Sequence, residues 1–242
     1  MTRYLDPYSV RARFFPALLA VIPALAALAM LINWRDLGLT GILVTLAIPV
    51  LVYAAADVAR RLGKRIEEKI HAEIGGKPSV AILRHRDLTL DANSKARYLA
   101  FLAKKVGRPA PSSQDEIVDP PGADRYYDSC GTWLRENTRN TKKFPVLFME
   151  NVTYGFRRNL YGLRWPALAL NTLVAAGCLV ALAFKAHLEL DPKLVAKIVA
   201  VLVFSMVHAA YMLWGVTRTS VIDASRTYGR QLILSCEAFA KK

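Results

Sequence analysis

Cysteine is scarce. The 242 residues hold three, Cys130, Cys178 and Cys236, far apart and without a CxxC pair. Disulfide frameworks and structural zinc sites need paired or clustered thiols, so neither is expected. Catalytic signatures are missing too. The stretch GGKPS at 75–79 resembles the end of a phosphate-binding loop. It has His71 and Pro78 where that loop needs Gly and Ser or Thr. His71-Ala72-Glu73 offers the His and Glu of a zinc deaminase, but no PCxxC follows. No catalytic residue, metal or cofactor is assigned, and the chain is read as non-enzymatic.

Charge is missing from long stretches. Four runs lack Lys, Arg, Asp and Glu: Phe14–Trp34, Leu37–Ala56, Trp165–Phe184 and Ile198–Val216. Each has about 20 residues, the length a helix needs to cross the hydrocarbon core of a bilayer. Acid is also in short supply, 19 Asp and Glu against 33 Lys and Arg, for a formal charge of +14. Strong apolarity and strong basicity are compatible here because they are segregated along the chain.

The fold expected is therefore an all-α integral membrane protein. Four transmembrane helices, arranged as two hairpins, flank a mainly helical cytoplasmic domain that carries at most one short β-hairpin, from SVAIL and LTL. The predicted domains are an N-terminal tail and hairpin (1–56), a cytoplasmic domain (57–164) with a stalk helix at 57–74, a second hairpin (165–216) and a cytoplasmic C-terminal helix (217–242). Lys and Arg place the ends. The segment 57–164 carries 21, the link between the first two runs only Arg35. The excess of positive charge on the cytoplasmic side puts both termini and the central segment there. The localisation expected is multi-pass, in a bacterial inner membrane.

Periodicity shapes the polar segments. Val58, Leu62, Ile66, Ile70 and Ile74 repeat at four and mark one stripe of the stalk, which Gly75-Gly76 ends. Asp91 or Asn93 caps a helix over about Ser94–Val106, and APSSQDEIVDPPG reads as a linker. Pro121 opens a further helix. Phe148, Val152, Phe156 and Leu160 repeat at four, as do Tyr228, Leu232 and Cys236 in the tail. In the first run, Ala17, Ala20, Ala24 and Ala27 form a face of small residues suited to close helix contact.

Three groups of residues are candidates for function. Arg84, His85, Arg86, Asp87 and Asp91 form the densest polar cluster, and arginine forks suit a phosphorylated ligand. YGFRRNLYGLRW supplies Tyr154, Gly155, Arg157, Arg158, Tyr161, Gly162 and Trp165. It reads as an interfacial collar for anionic headgroups and as a hinge, with a break at Gly162 and Pro166, coupling the cytoplasmic domain to the third span. Asn171, Ser205 and His208 are polar groups inside the spans, a placement that turns such groups toward a bundle interior.

The function these features predict is a signal-responsive, oligomeric membrane protein. Its cytoplasmic domain senses a ligand or partner and alters membrane permeability. The layout is similar to that of bacterial membrane effectors of nucleotide-triggered phage defence, which also join a few spans to a small sensor domain. The alternatives are a membrane scaffold that recruits a cytosolic partner and a membrane-embedded enzyme using His85, Asp87 and Cys130. The partners expected are the bilayer's anionic headgroups and a second copy or another subunit, not nucleic acid.

Overall fold

The computed structural model describes residues 6–32, 41–187 and 189–240. Among them every regular element is helical and no strand occurs. In chain order the helices are α1 Pro7–Leu31, α2 Gly41–Glu73, α3 Pro78–Ala81, α4 Ala92–Val106, α5 Ser113–Val118, α6 Pro120–Asn137, α7 Pro145–Ala183, α8 Pro192–Gly215, α9 Arg218–Leu234 and α10 Glu237–Ala240. Three of them, α1, α7 and α8, are long and apolar enough to cross a membrane. That is one fewer than the sequence predicted. The expected second span, Leu37–Ala56, begins outside the described residues, and its described remainder forms the start of α2.

Contacts divide the chain into two units, Met1–Ile66 with Gly155–Ser220, and Glu67–Tyr154 with Val221–Lys242. The boundaries fall inside α2, α7 and α9, each of which is helical on both sides of its boundary.

The first unit is packed with small side chains. Ala17, Ala20, Ala56, Ala59 and Ala167 are buried around Leu160, Leu163 and Met212. Glycine does the rest. A Cβ on Gly162 would lie 2.7 Å from the Gly63 backbone nitrogen, and one on Gly63 would lie 2.2 Å from Oδ1 of Asn159. A Cβ on Gly155 would meet Tyr8 Oη at 2.7 Å. These glycines exist for close approach of α7 to α2 and α1. The predicted break at Gly162 and Pro166 is absent: α7 runs through both positions without interruption. Gly162 serves close contact with α2, and the helix continues where the sequence alone suggested a break. The stalk stripe is corrected in the same way. Ile70 is buried, but Val58 is exposed, because Ala59 and Gly63 occupy the packing face of α2 there.

The second unit has a core of larger side chains. Leu83, Leu102, Tyr127, Leu134, Leu232 and Ile233 are almost wholly buried, with Cys130 and Cys236 between them. The tail thus contributes directly to the core of the central segment. Asp91 caps α4, accepting from the Ser94 N–H at 2.8 Å, and Gly107 ends it at φ 72°. The predicted β-hairpin does not form. Val80, Ile82 and Leu83 are all buried, and a strand would turn the neighbours Ile82 and Leu83 to opposite faces. Pro78 instead opens a helical turn that sends them into one core. The stretch read as a linker contains α5, held by a reciprocal cap between Ser112 and Asp115.

Candidate anion-binding cleft

The site lies within the second unit and grows from two glycines. Gly75 and Gly76 take φ 77° and 123°, a left-handed geometry that other residues resist. They turn the chain sharply after α2, and Pro78 restarts it as α3. On α9, Gly229 lets this turn come close: a Cβ there would lie 2.8 Å from Pro78 Cβ and 3.0 Å from the Ser79 nitrogen. The approach brings one face of α9 against the segment 78–89. A cleft of about 470 Å³ opens between them, lined by Ile74, Pro78, Ala81 and Ile82 on its apolar side and by Arg84, Arg86, Asp87, Thr89, Arg226, Thr227 and Arg230 on its polar side. That volume falls in the range of about 300–1,000 Å³ typical of small-ligand sites.

Charge distinguishes this cleft from two others of the same unit. Two further clefts of the second unit balance their charges, Arg108 and Arg125 against Asp115 and Asp119 in one, Arg84 and Arg86 against Glu116 and Asp124 in the other. Here four guanidinium groups face a single carboxylate. One is already committed. Arg84 makes a two-pronged pair with Asp124, Nε to Oδ1 at 2.8 Å and Nη2 to Oδ2 at 2.7 Å, and Nη2 also donates to the Gly75 carbonyl at 2.7 Å. Its role is to fasten the Gly75 turn to α6. Arg86, Arg226 and Arg230 form no ion pair among the described residues.

The loop between Arg84 and Asp91 is held from below by Lys95. Its buried ammonium donates to the carbonyls of Arg84, at 2.6 Å, and of Asp87. Burial pushes this lysine below its ordinary pKa. Asp87 accepts from the Thr89 N–H at 2.8 Å, closing a tight turn at the cleft rim.

The structure separates the five residues predicted as one ligand cluster. Arg86 and Asp87 face the cleft, and Arg84 lines it while bound to Asp124. Asp91 is a helix cap, its carboxyl held below the usual range by the Ser94 N–H. The His85 ring meets the Pro111 carbonyl at 2.9 Å, and its backbone N–H donates to Glu116, which also accepts from Tyr127. Arg226 and Arg230 were missed. They stand four residues apart on the polar side of the tail stripe, the one sequence signal that could have found them.

The remaining candidates lie elsewhere. Tyr154 donates to Glu67 at 2.7 Å and stacks on Tyr228 within the second unit. In the first unit, Arg157 donates to the Ser220 carbonyl at 3.2 Å. Arg158 is buried and donates to Asn159 Oδ1, while Asn159 donates to the Ala12 carbonyl at 2.6 Å. Gly155 and Gly162 serve helix contact, Tyr161 packs against the small-residue core, and Trp165 is exposed. Asn171 donates to the Ser205 carbonyl at 2.8 Å, and the His208 ring meets the Leu19 carbonyl at 3.0 Å. Cys130 is fully buried and burial pushes its thiol up to about 11, the opposite of the exposed, low-pKa setting of a nucleophile. Among the described residues no group of His, Cys, Asp and Glu could hold a metal ion.

No protein-family model, curated protein or solved structure matches this chain.

Proposed function

We propose that the chain is a non-enzymatic, signal-responsive membrane protein. Its second unit, on the cytoplasmic side, receives an anionic ligand in the arginine cleft, and occupancy alters how the span helices associate and so how permeable the membrane is. The observation that carries this reading is the excess of guanidinium charge at Arg86, Arg226 and Arg230, held in a formed cleft with an apolar wall. Two of the three arginines stand on α9, whose first residues belong to the unit with the span helices.

The test uses the full chain in detergent and in liposomes. Phosphate should raise the thermal midpoint more than chloride does at equal ionic strength, and Arg226→Glu with Arg230→Glu should abolish the difference. Dye efflux from loaded liposomes should change with phosphate in the wild type only. Equal midpoints in both salts would remove the ligand-sensing reading.

A scaffold that recruits a cytosolic partner is the second reading. It is favoured by Leu88, Ile117 and Val118 of the second unit, which are 91, 71 and 75% exposed. If these residues dock a partner, Leu88→Ser with Ile117→Ser should leave the thermal midpoint unchanged and prevent site-specific crosslinking from position 118 in cells.

A further inference from the structure

We infer that the first unit binds one water molecule where α1, α7 and α8 meet, held by Asn171, Ser205 and His208. This inference goes beyond the anion-sensing reading and does not depend on it.

The site starts from a proline. Pro23 lies inside α1, and a proline has no N–H to give to the carbonyl four residues before it. That carbonyl belongs to Leu19, and Nε2 of His208 on α8 meets it at 3.0 Å. The same device occurs earlier in α1. Pro16 can give no N–H to the Ala12 carbonyl, and Asn159 of α7 supplies one at 2.6 Å. The partner fixes the ring. A carbonyl only accepts, so Nε2 carries a hydrogen, and in the neutral imidazole Nδ1 is then a lone-pair acceptor. Asn171 of α7 is fixed likewise. Its Nδ2 donates to the Ser205 carbonyl at 2.8 Å, which leaves Oδ1 as an acceptor.

Three polar atoms remain at this meeting point. Among the described residues His208 Nδ1, Asn171 Oδ1 and Ser205 Oγ are buried and have no hydrogen-bond partner. Their side chains are only 6, 4 and 2% exposed. Thr172 shows the alternative, its hydroxyl donating to the Leu168 carbonyl one turn back along α7. The three atoms belong together. Asn171 touches the Ser205 backbone, and Ser205 and His208 stand three residues apart, on one face of α8. Buried polar atoms left without partners are unfavourable, and the apolar side chains around them supply no donor. Two of the atoms accept and the third is a hydroxyl. Water matches the set atom for atom: its hydrogens go to Nδ1 and Oδ1, and its oxygen accepts from the Ser205 hydroxyl. About three hydrogen bonds is the usual number for a buried water. A cation suits the set less well, since none of the three groups is a carboxylate that would offset its charge.

Proton-detected solid-state NMR of the full-length protein in lipid bilayers tests the inference. Histidine is isotope-labelled, and the His208 signal is the one lost in His208→Gln. The expected result is a neutral ring with its hydrogen on Nε2, an Nδ1 resonance in the hydrogen-bonded range, and a cross-peak from the ring to a water proton. Asn171→Leu removes one acceptor and fills its place with apolar atoms. It should abolish the water cross-peak and move Nδ1 to the unbonded range, with the Trp214 fluorescence transition reporting that the unit still assembles. Ser205→Ala removes only the hydroxyl and should lower the cross-peak intensity, so the inference stays testable if the leucine variant does not assemble. A wild-type ring that carries hydrogens on both nitrogens would overturn the inference, as would a neutral ring without a water cross-peak. A cross-peak unchanged in Asn171→Leu or in Ser205→Ala would overturn the three-way site.

Discussion

The two units solve the packing problem in different ways. The second buries Tyr127, Leu102, Leu134 and Ile233, the large side chains a core uses when water drives apolar groups together. The first buries alanines and brings helices together at Gly63, Gly155 and Gly162, while Leu173, Met206 and Trp214 stay 71, 66 and 76% exposed. Gly63, Gly155 and Gly162 stand among Arg60, Arg61, Arg157 and Arg158, where close backbone contact replaces bulky side chains between the helices. The contrast teaches that one chain uses two packing modes, interdigitated side chains in one unit and backbone approach in the other.

The largest effects should come from the seam and the core. Gly162→Leu forces a side chain into the Gly63 backbone, which cannot move aside as a flexible side chain could. It should prevent assembly of the first unit, read as loss of the thermal transition followed by Trp165 and Trp214 fluorescence. Retention of that transition would mean that the seam tolerates separation and that the contrast is overstated. In the second unit, Leu134→Ala should cost about 2–5 kcal/mol, read from Trp133 fluorescence in denaturant. Leu173→Ala should change stability by less than about 0.5 kcal/mol, since that side chain is exposed.

Lys95→Met comes next. It leaves the carbonyls of Arg84 and Asp87 without their donor, and a buried acceptor without a partner costs about 1–3 kcal/mol. The loop bearing Arg86 should loosen, so anion binding should weaken along with stability. Unchanged binding would show that the loop is held by the Arg84–Asp124 pair alone.

The smallest effect concerns pH. Burial raises the thiols of Cys130 to about 11 and Cys236 to about 12. A raised acid binds more protons in the folded state, so its contribution is intact below the ordinary thiol value of about 8.5 and is lost as pH rises through the folded value. Stability of the second unit should fall between about pH 9 and 12, and the fall should be shallower in Cys130→Ala. Neither thiol should react with maleimide at pH 7 without denaturant.

Much of the helix content was legible locally. Asp91 marks a helix start in the sequence and caps one in the structure, and Pro121, read as opening a helix, is the second residue of the helix that begins at Pro120, because caps depend on residues within a few positions of one another. Short apolar runs were not legible. SVAIL suits a strand as well as a helical turn, and only the single core that takes Ile82 and Leu83 together decides between them. The capping box at Ser112–Asp115 was present in the linker-like stretch and outweighed its prolines. Glycine was ambiguous for a related reason. Gly162 permits a bend or a close contact, and which one it serves depends on whether α2 lies beside it.

The sequence by itself determined the helical class, the segregation of charge from apolar runs and the arginine-rich character of residues 84–87. These depend on composition and on periods of three to four residues, which no partner alters. The tertiary structure decided which arginines share a site. Arg226 lies 140 positions from Arg86, and only the missing side chain at Gly229 lets α9 approach Pro78 closely enough to put them around one cleft. It also assigned Arg84 to a structural pair with Asp124 and left Arg86 without an ion pair. The reason is that a guanidinium's role is set by what stands opposite it, and what stands opposite comes from a distant part of the chain.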